Sequence, residues 1–148
     1  MVDLDHFKQV NDQWGHEAGN KVLKSVANTL LQGVRRIDSV CRYGGEELAL
    51  ILPGAYLKKA ANVAERLRDA LQQTEILWQE EPIPITASLG VAVYPSSDIN
   101  DSASLIEMAD RMLYQAKQGG RNRVCHPPLS DQTPETQVSP DEKRALLE

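Results

Sequence analysis

Cysteine is scarce in this sequence: Cys41 and Cys125 are the only two in 148 residues. Two are too few for a disulfide framework, and a reducing, cytoplasmic setting is the simpler expectation. Long hydrophobic runs are missing too. No apolar stretch approaches the roughly 20 residues that a membrane-spanning helix needs, and no signal-peptide pattern stands before the first predicted strand. Excess positive charge is also lacking: 16 Lys and Arg face 21 Asp and Glu, a net charge of −5. That balance argues against a surface for polymeric nucleic acid. It leaves room for a small phosphate ligand, which needs only a local basic cluster. No internal repeat is visible. What is present is ordinary for a soluble globular chain, with 41% hydrophobic and 25% charged residues. The length suits one domain with a real core.

Read along the chain, "MVDLD" predicts a short strand. In "HFKQVNDQWG", Phe7, Val10 and Trp14 have helical spacing and Gly15 is a stop. A second helix is predicted from about Asn20 to Val34, with Val22, Leu23, Val26, Ala27, Leu30, Leu31 and Val34 as its apolar stripe. The stretch "RYGGEELALILPG", Arg42–Gly54, reads as a hairpin whose second strand is apolar enough for burial on both faces. A helix follows from about Leu57 to Gln72, with Ala60, Val63, Ala64, Leu67 and Leu71 on one side. "ITASLGVAVYP" is β-branched, alternating and ended by Pro95, as in a strand. The last helix is predicted over about Ala103–Gln118, with Leu105, Ile106, Ala109, Met112, Leu113 and Ala116 inward, and "GGRNRVC" is a turn and short strand. From Pro127 to Glu148 the chain turns to Pro, Ser, Thr, Gln and charge, the composition of a disordered polar tail. These elements predict an α/β (α+β) sandwich, a mostly antiparallel central sheet flanked by helices.

The hairpin carries consecutive carboxylates, Glu46 and Glu47, where its second strand begins. Strand faces alternate, so the two should point to opposite sides of the sheet. Asp3 and Asp5, two apart, share one face of the first strand. If the hairpin tip neighbours that strand, Asp3 and one or both glutamates converge. Like charges about 4 Å apart repel by roughly 4 kcal/mol at an effective dielectric near 20. Such a cluster wants a cation, and hard oxygen ligands select magnesium or manganese over zinc. The alternative is that each carboxylate caps a helix or lies solvated at a strand end.

Four segments carry a resemblance: "DLDHFKQVNDQWGHEAGN", "RYGGEEL", "ASLGVAVY" and "ADRMLYQAKQGGRNRV". In that order and spacing they resemble the successive motifs of the GGDEF domain, the catalytic domain of diguanylate cyclases, over about Val2–Val124. The resemblance implies a fold like a polymerase palm or nucleotide cyclase. It implies condensation of two GTP into cyclic di-GMP with release of pyrophosphate. Asp3, Glu46 and Glu47 would be the catalytic acids. Asp3, Glu46, Glu47 and the Leu4 carbonyl would hold magnesium or manganese. Gly44 and Gly45 would let the tip approach a nucleotide without a β-carbon in the way. Lys8, Lys117 and Arg121 would hold phosphates. Lys117 and Arg121 also suit the negative end of a helix. Asn11 and Asn20 would read the base. Arg35 and Asp38 form the family's R-x-x-D pattern, and with Arg66 would bind cyclic di-GMP as inhibitor. His6 is expected to have no catalytic role and His16 a structural or capping one. Phe7, Trp14 and Leu48 are expected to pack, and Asp5 to support the site or cap the next helix.

The sequence also departs from the family pattern. Its signature is Gly44-Gly45-Glu46-Glu47-Leu48, and Asn20 stands where relatives usually have aspartate. The expected division is a GGDEF domain over 1–126 lacking its usual N-terminal helix, then the tail over 127–148. The resemblance implies a homodimer for catalysis and a sensor domain in a longer parent protein. An active cyclase is the leading reading. A catalytically weak domain serving as a cyclic di-GMP receptor or an interaction module is the alternative.

Overall fold

The computed structural model describes residues 1–129. A five-stranded sheet has the order β2-β3-β1-β6-β7. Its strands are β1 (Val2–Leu4), β2 (Ser39–Gly44), β3 (Glu47–Ile51), β6 (Ala87–Gly90) and β7 (Val124–Cys125). The helices are α1 (Phe7–Gln32), α2 (Leu57–Gln73) and α3 (Ser102–Gln118), and β4 (Leu77–Trp78) pairs with β5 (Glu81–Pro82) in a separate small hairpin. All pairings in the main sheet are antiparallel except β6 with β7. The expected mostly antiparallel α/β sandwich is therefore present.

Alternation along β1 sorts the layers. Val2 opposes Leu48 and Leu89, and Leu4 opposes Ala87. These side chains are buried in one core with Val22, Val26 and Leu30 of α1 and Leu67 and Leu71 of α2. The intervening Asp3 opposes Glu47 and Ser88 and faces the other way, toward α3. At Gly90 on that face, a β-carbon would collide with backbone atoms of Ala109 and Leu113. Helix α3 thus lies directly on β6, with Ala109, Met112, Leu113 and Ala116 buried.

Several sequence expectations need correction. The expected break at Gly15 is present (φ 84°, ψ 167°) and divides Phe7–Gln32 into two helical parts, but the second begins well before Asn20. Leu31 is exposed. Strand β3 is not buried on both faces: Ile51, at the end of the strand opposite exposed Ser39, is 60% exposed. The strand predicted through Pro95 is confined to Ala87–Gly90. Ile106 is exposed, and burial on α3 begins only at Ala109. The polar tail expected from Pro127 lies outside the described residues from position 130 onward.

Candidate functional site

The break at Gly15 shapes a concavity. A positive φ of this size suits glycine, which has no β-carbon to clash. It reorients the chain so that Phe7, Lys8 and Asn11 before the break face His16, Asn20 and Leu23 after it. With Arg42, Gly45 and Glu46 from the hairpin they line an open cavity of about 420 Å³. Asn11 lies against Gly19, where any β-carbon would collide with its Oδ1. The small residue before Asn20 therefore sets how deep Asn11 can sit. Four of the expected substrate-binding residues, Lys8, Asn11, Asn20 and Gly45, meet in this cavity.

The hairpin tip closes one side. Gly45 and Glu46 connect Gly44 to its partner Glu47, with a register irregularity between Arg42 and Gly44. Arg42 Nε donates to the Gly45 carbonyl at 2.9 Å, and the Leu4 N–H donates to the Glu46 carbonyl at 3.4 Å. The two consecutive glutamates part company here. Glu46 lines the cavity, while Glu47 stands opposite Asp3 in the sheet. Gly44 lies beside Glu47, its β-carbon position 3.8 Å from Oε2.

Asp3 is 6% exposed, and Lys117 Nζ donates to its Oδ2 at 2.7 Å. Burial pushes the Asp3 carboxyl up, Lys117 partly offsets this, and the charges of Glu46 and Asp5 push it further. Among the described residues, no three His, Cys, Asp or Glu side chains form a ready-made metal cage. Helix α3 ends at Gln118, so Arg121 sits in the following turn (φ 62°) rather than on the helix with Lys117. Asp3, Leu4, Gly44, Glu47, Lys117 and Arg121 do not line the cavity.

The Arg35 and Asp38 pair is formed. Arg35 Nε and Nη2 donate to the two carboxylate oxygens at 3.1 and 2.7 Å, and Nη2 also donates to the Pro53 carbonyl at 3.0 Å. The hydrogen bond from the Arg35 side chain holds the Asp38 carboxyl below its ordinary range. Arg66 Nη2 donates to the Gly33 carbonyl at 2.7 Å, just before Arg35 in the chain.

Four lining residues were not among the expected site residues: Phe7, His16, Leu23 and Arg42. His16 had been expected to be structural or capping. The available signals were its place just after the Gly15 break and the place of Arg42 just before the paired glycines.

Comparison with known proteins adds to this geometry. The family model "Diguanylate cyclase, GGDEF domain" matches residues 1–123. The chain is 46% identical over 125 residues to the uncharacterized protein YhcK of Bacillus subtilis (strain 168), covering 84% of this chain and 34% of that protein. It is 41% identical over 124 residues to diguanylate cyclase A of Treponema denticola, covering 84% and 33%. The chain thus spans about a third of the length of these relatives. Among solved structures, it is similar to the GGDEF domain of DgcB from Caulobacter crescentus in complex with c-di-GMP. There the TM-score is 0.78 at 36% identity, covering 84% of this chain and 74% of that one. With the family model spanning nearly all the described residues, this chain belongs to the GGDEF family of diguanylate cyclase domains.

Proposed function

We propose that this chain is an active diguanylate cyclase domain that condenses two GTP into cyclic di-GMP and releases pyrophosphate. The observation that carries this reading is the cavity lined by Lys8, Asn11, Asn20 and Glu46, beside the strand-end acids Asp3 and Glu47. Asn11 and Asn20 orient the base. Lys8, Lys117 and Arg121 hold phosphate oxygens, and Gly44 and Gly45 leave space for the nucleotide at the tip.

Diguanylate cyclases of this family are generally dependent on a divalent metal. The donors here fit one: Asp3 is buried opposite Glu47 in the sheet, Glu46 adjoins Glu47 at the tip, and Asp3 already holds a cation, the Lys117 ammonium, at 2.7 Å. An open set of oxygens suits magnesium, which keeps several waters and binds through one or two carboxylates plus substrate phosphates. Asp3 and Glu46, with Glu47 and the Leu4 carbonyl, would hold the ion. When bound, magnesium or manganese would neutralise phosphate charge and ease deprotonation of the attacking hydroxyl.

In the reaction, the 3′-oxygen of one nucleotide bonds to the α-phosphorus of the other, and the bond from that phosphorus to pyrophosphate breaks. Glu47 stands as an acceptor for the hydroxyl proton. Most of the catalysis is positioning and charge stabilisation. Each domain holds one nucleotide, so two domains must face each other. Arg35, Asp38 and Arg66 form the site for inhibitory product, where arginine's planar fork can pair bidentately with phosphate. No described helix is long and apolar enough to cross a membrane. The proposed setting is the cytoplasm, with a sensor domain in a longer parent protein.

The test is turnover of GTP with magnesium by wild type, Glu46→Ala and Asp3→Ala, with circular dichroism to check folding. Turnover should fall by about 10²-fold or more in both variants. Folded variants with near wild-type turnover would overturn the assignment. In the same assay, Arg35→Ala should relieve inhibition by added cyclic di-GMP, and unchanged inhibition would remove that site.

A further inference from the structure

Asp5 has no part in the reaction described above, yet it is 4% exposed and its carboxylate is fully engaged. Oδ1 accepts from Ser88 Oγ at 2.7 Å, and Oδ2 accepts from Thr86 Oγ1 at 2.7 Å and from the backbone N–H of Asn122 at 3.0 Å. Its own N–H donates to the Thr86 carbonyl at 2.9 Å. A charged side chain thus joins the end of β1, the start of β6 and the turn after α3.

That turn needs holding. Arg121 and Asn122 both have positive φ, 62° and 45°, in succession and without glycine. The β-carbon disfavours this conformation, so it persists only where surrounding contacts over-determine it. The contacts come from three sides: the Arg121 N–H donates to the Ala116 carbonyl of α3 at 3.0 Å, and Asp5 and α2 supply the rest. Asp5 takes the Asn122 backbone N–H. From α2, Arg68 Nη1 donates to Asn122 Oδ1 and Asn122 Nδ2 donates to Gln72 Oε1, both at 2.9 Å. The residue placed by this clamp is Arg121, and Lys117 on the preceding helical turn is already tied to Asp3. Asp3 and Asp5 lie on the same side of the chain, two residues apart. One short segment therefore presents an acid to the reaction centre and fixes the turn that carries a phosphate-holding arginine.

We infer that Asp5 is a positioning residue: through Asn122 it sets the Arg121 turn against the strand-end acids, so that nucleotide phosphates are held in register with them. This rests on the cyclase reading. It assigns Asp5 neither substrate contact nor metal. A neutral amide should serve nearly as well as the carboxylate. An asparagine oxygen at the Oδ2 position keeps the bonds from Thr86 and Asn122, and its NH₂ can donate to Ser88 Oγ, since a hydroxyl also accepts.

The test compares wild type, Asp5→Ala, Asp5→Asn and Thr86→Val. Backbone exchange at Asn122 is followed by NMR, and affinities for a non-hydrolysable GTP analogue with magnesium and for guanosine by calorimetry. Asp5→Ala should speed exchange at Asn122 and weaken triphosphate binding about tenfold or more. Guanosine binding should be unchanged, because the cavity of Asn11 and Asn20 does not include Asp5. Asp5→Asn should stay near wild type in all three. If Asp5→Ala does not fold, Thr86→Val decides, with a smaller loss of triphosphate affinity expected and no loss overturning the assignment. Equal triphosphate affinity in wild type and Asp5→Ala would overturn it, as would an Asp5→Asn protein as impaired as Asp5→Ala. Those outcomes leave the cyclase reading intact. A wild type that binds no triphosphate would overturn both.

Discussion

A carboxylate and an amide at position 20 read a purine differently. A carboxylate accepts from both guanine N1–H and N2–H₂, while an amide offers one acceptor and a donor. The amide can rotate to suit adenine, so Asn20 should penalise the wrong base less. The expected outcome is that Asn20→Asp raises the GTP-over-ATP ratio of kcat/KM by about tenfold, or roughly 1.4 kcal/mol. Competition assays with both nucleotides check this, and an unchanged ratio would mean that Asn20 does not read the base. At this scale much of the site was legible, because Lys8, Asn11, Asn20, Gly45 and Glu46 lie in motif stretches. Leu23 and Arg42 were not. They join the cavity through the Gly15 break and the hairpin register, which bring together residues far apart in the chain.

Helix α3 is the element whose placement is most constrained. It lies on β6 with no room for a β-carbon at Gly90, and what would be struck is backbone, which cannot rotate away. Gly90→Ala should therefore cost about 3 kcal/mol, the upper part of the usual overpacking range. Denaturant unfolding should show a lower midpoint at unchanged slope, and an unmoved midpoint would contradict the packing. The same helix begins with a capping box in which Asp101 Oδ1 accepts from the Ser104 N–H at 2.7 Å. Hydrogen bonds from Ser104 hold the Asp101 carboxyl below its ordinary value. Its contribution to stability is thus present above the unfolded pKa and lost as pH falls through the folded one. Asp101→Ala should lower Tm by a few degrees at pH 7, with the gap closing below about pH 4. A gap independent of pH would mean that the charge plays no part. The helices were legible from apolar periodicity. The edge position of β2 was not, since periodicity cannot say how many strands lie beyond, and Ile51 was misjudged because an apolar run does not show where cover ends along the strand. The β4–β5 hairpin was missed because its two-residue strands are too short to show alternation.

Among the described residues, the cavity lined by Lys8, Asn11, Asn20 and Glu46 is the proposed site for one nucleotide, and the proposed product is two-fold symmetric. Catalysis must then join two copies, and specific activity should rise with protein concentration until the dimer saturates. Activity per chain that stays flat down to concentrations where sedimentation shows only monomer would contradict this. The layered sandwich was legible in the order of motifs, whereas the separation of Glu46 from Glu47 onto two sides of the tip required the register of β1 with β3. The central claim is the reaction itself, and its most direct test is incubation of the protein with GTP and magnesium, quantifying cyclic dinucleotide and pyrophosphate together. Wild type should yield cyclic di-GMP with two pyrophosphates released per product, and a folded Glu46→Ala protein about 10²-fold less or lower still. Absence of cyclic dinucleotide at every protein concentration, or equal yield from Glu46→Ala, would contradict it.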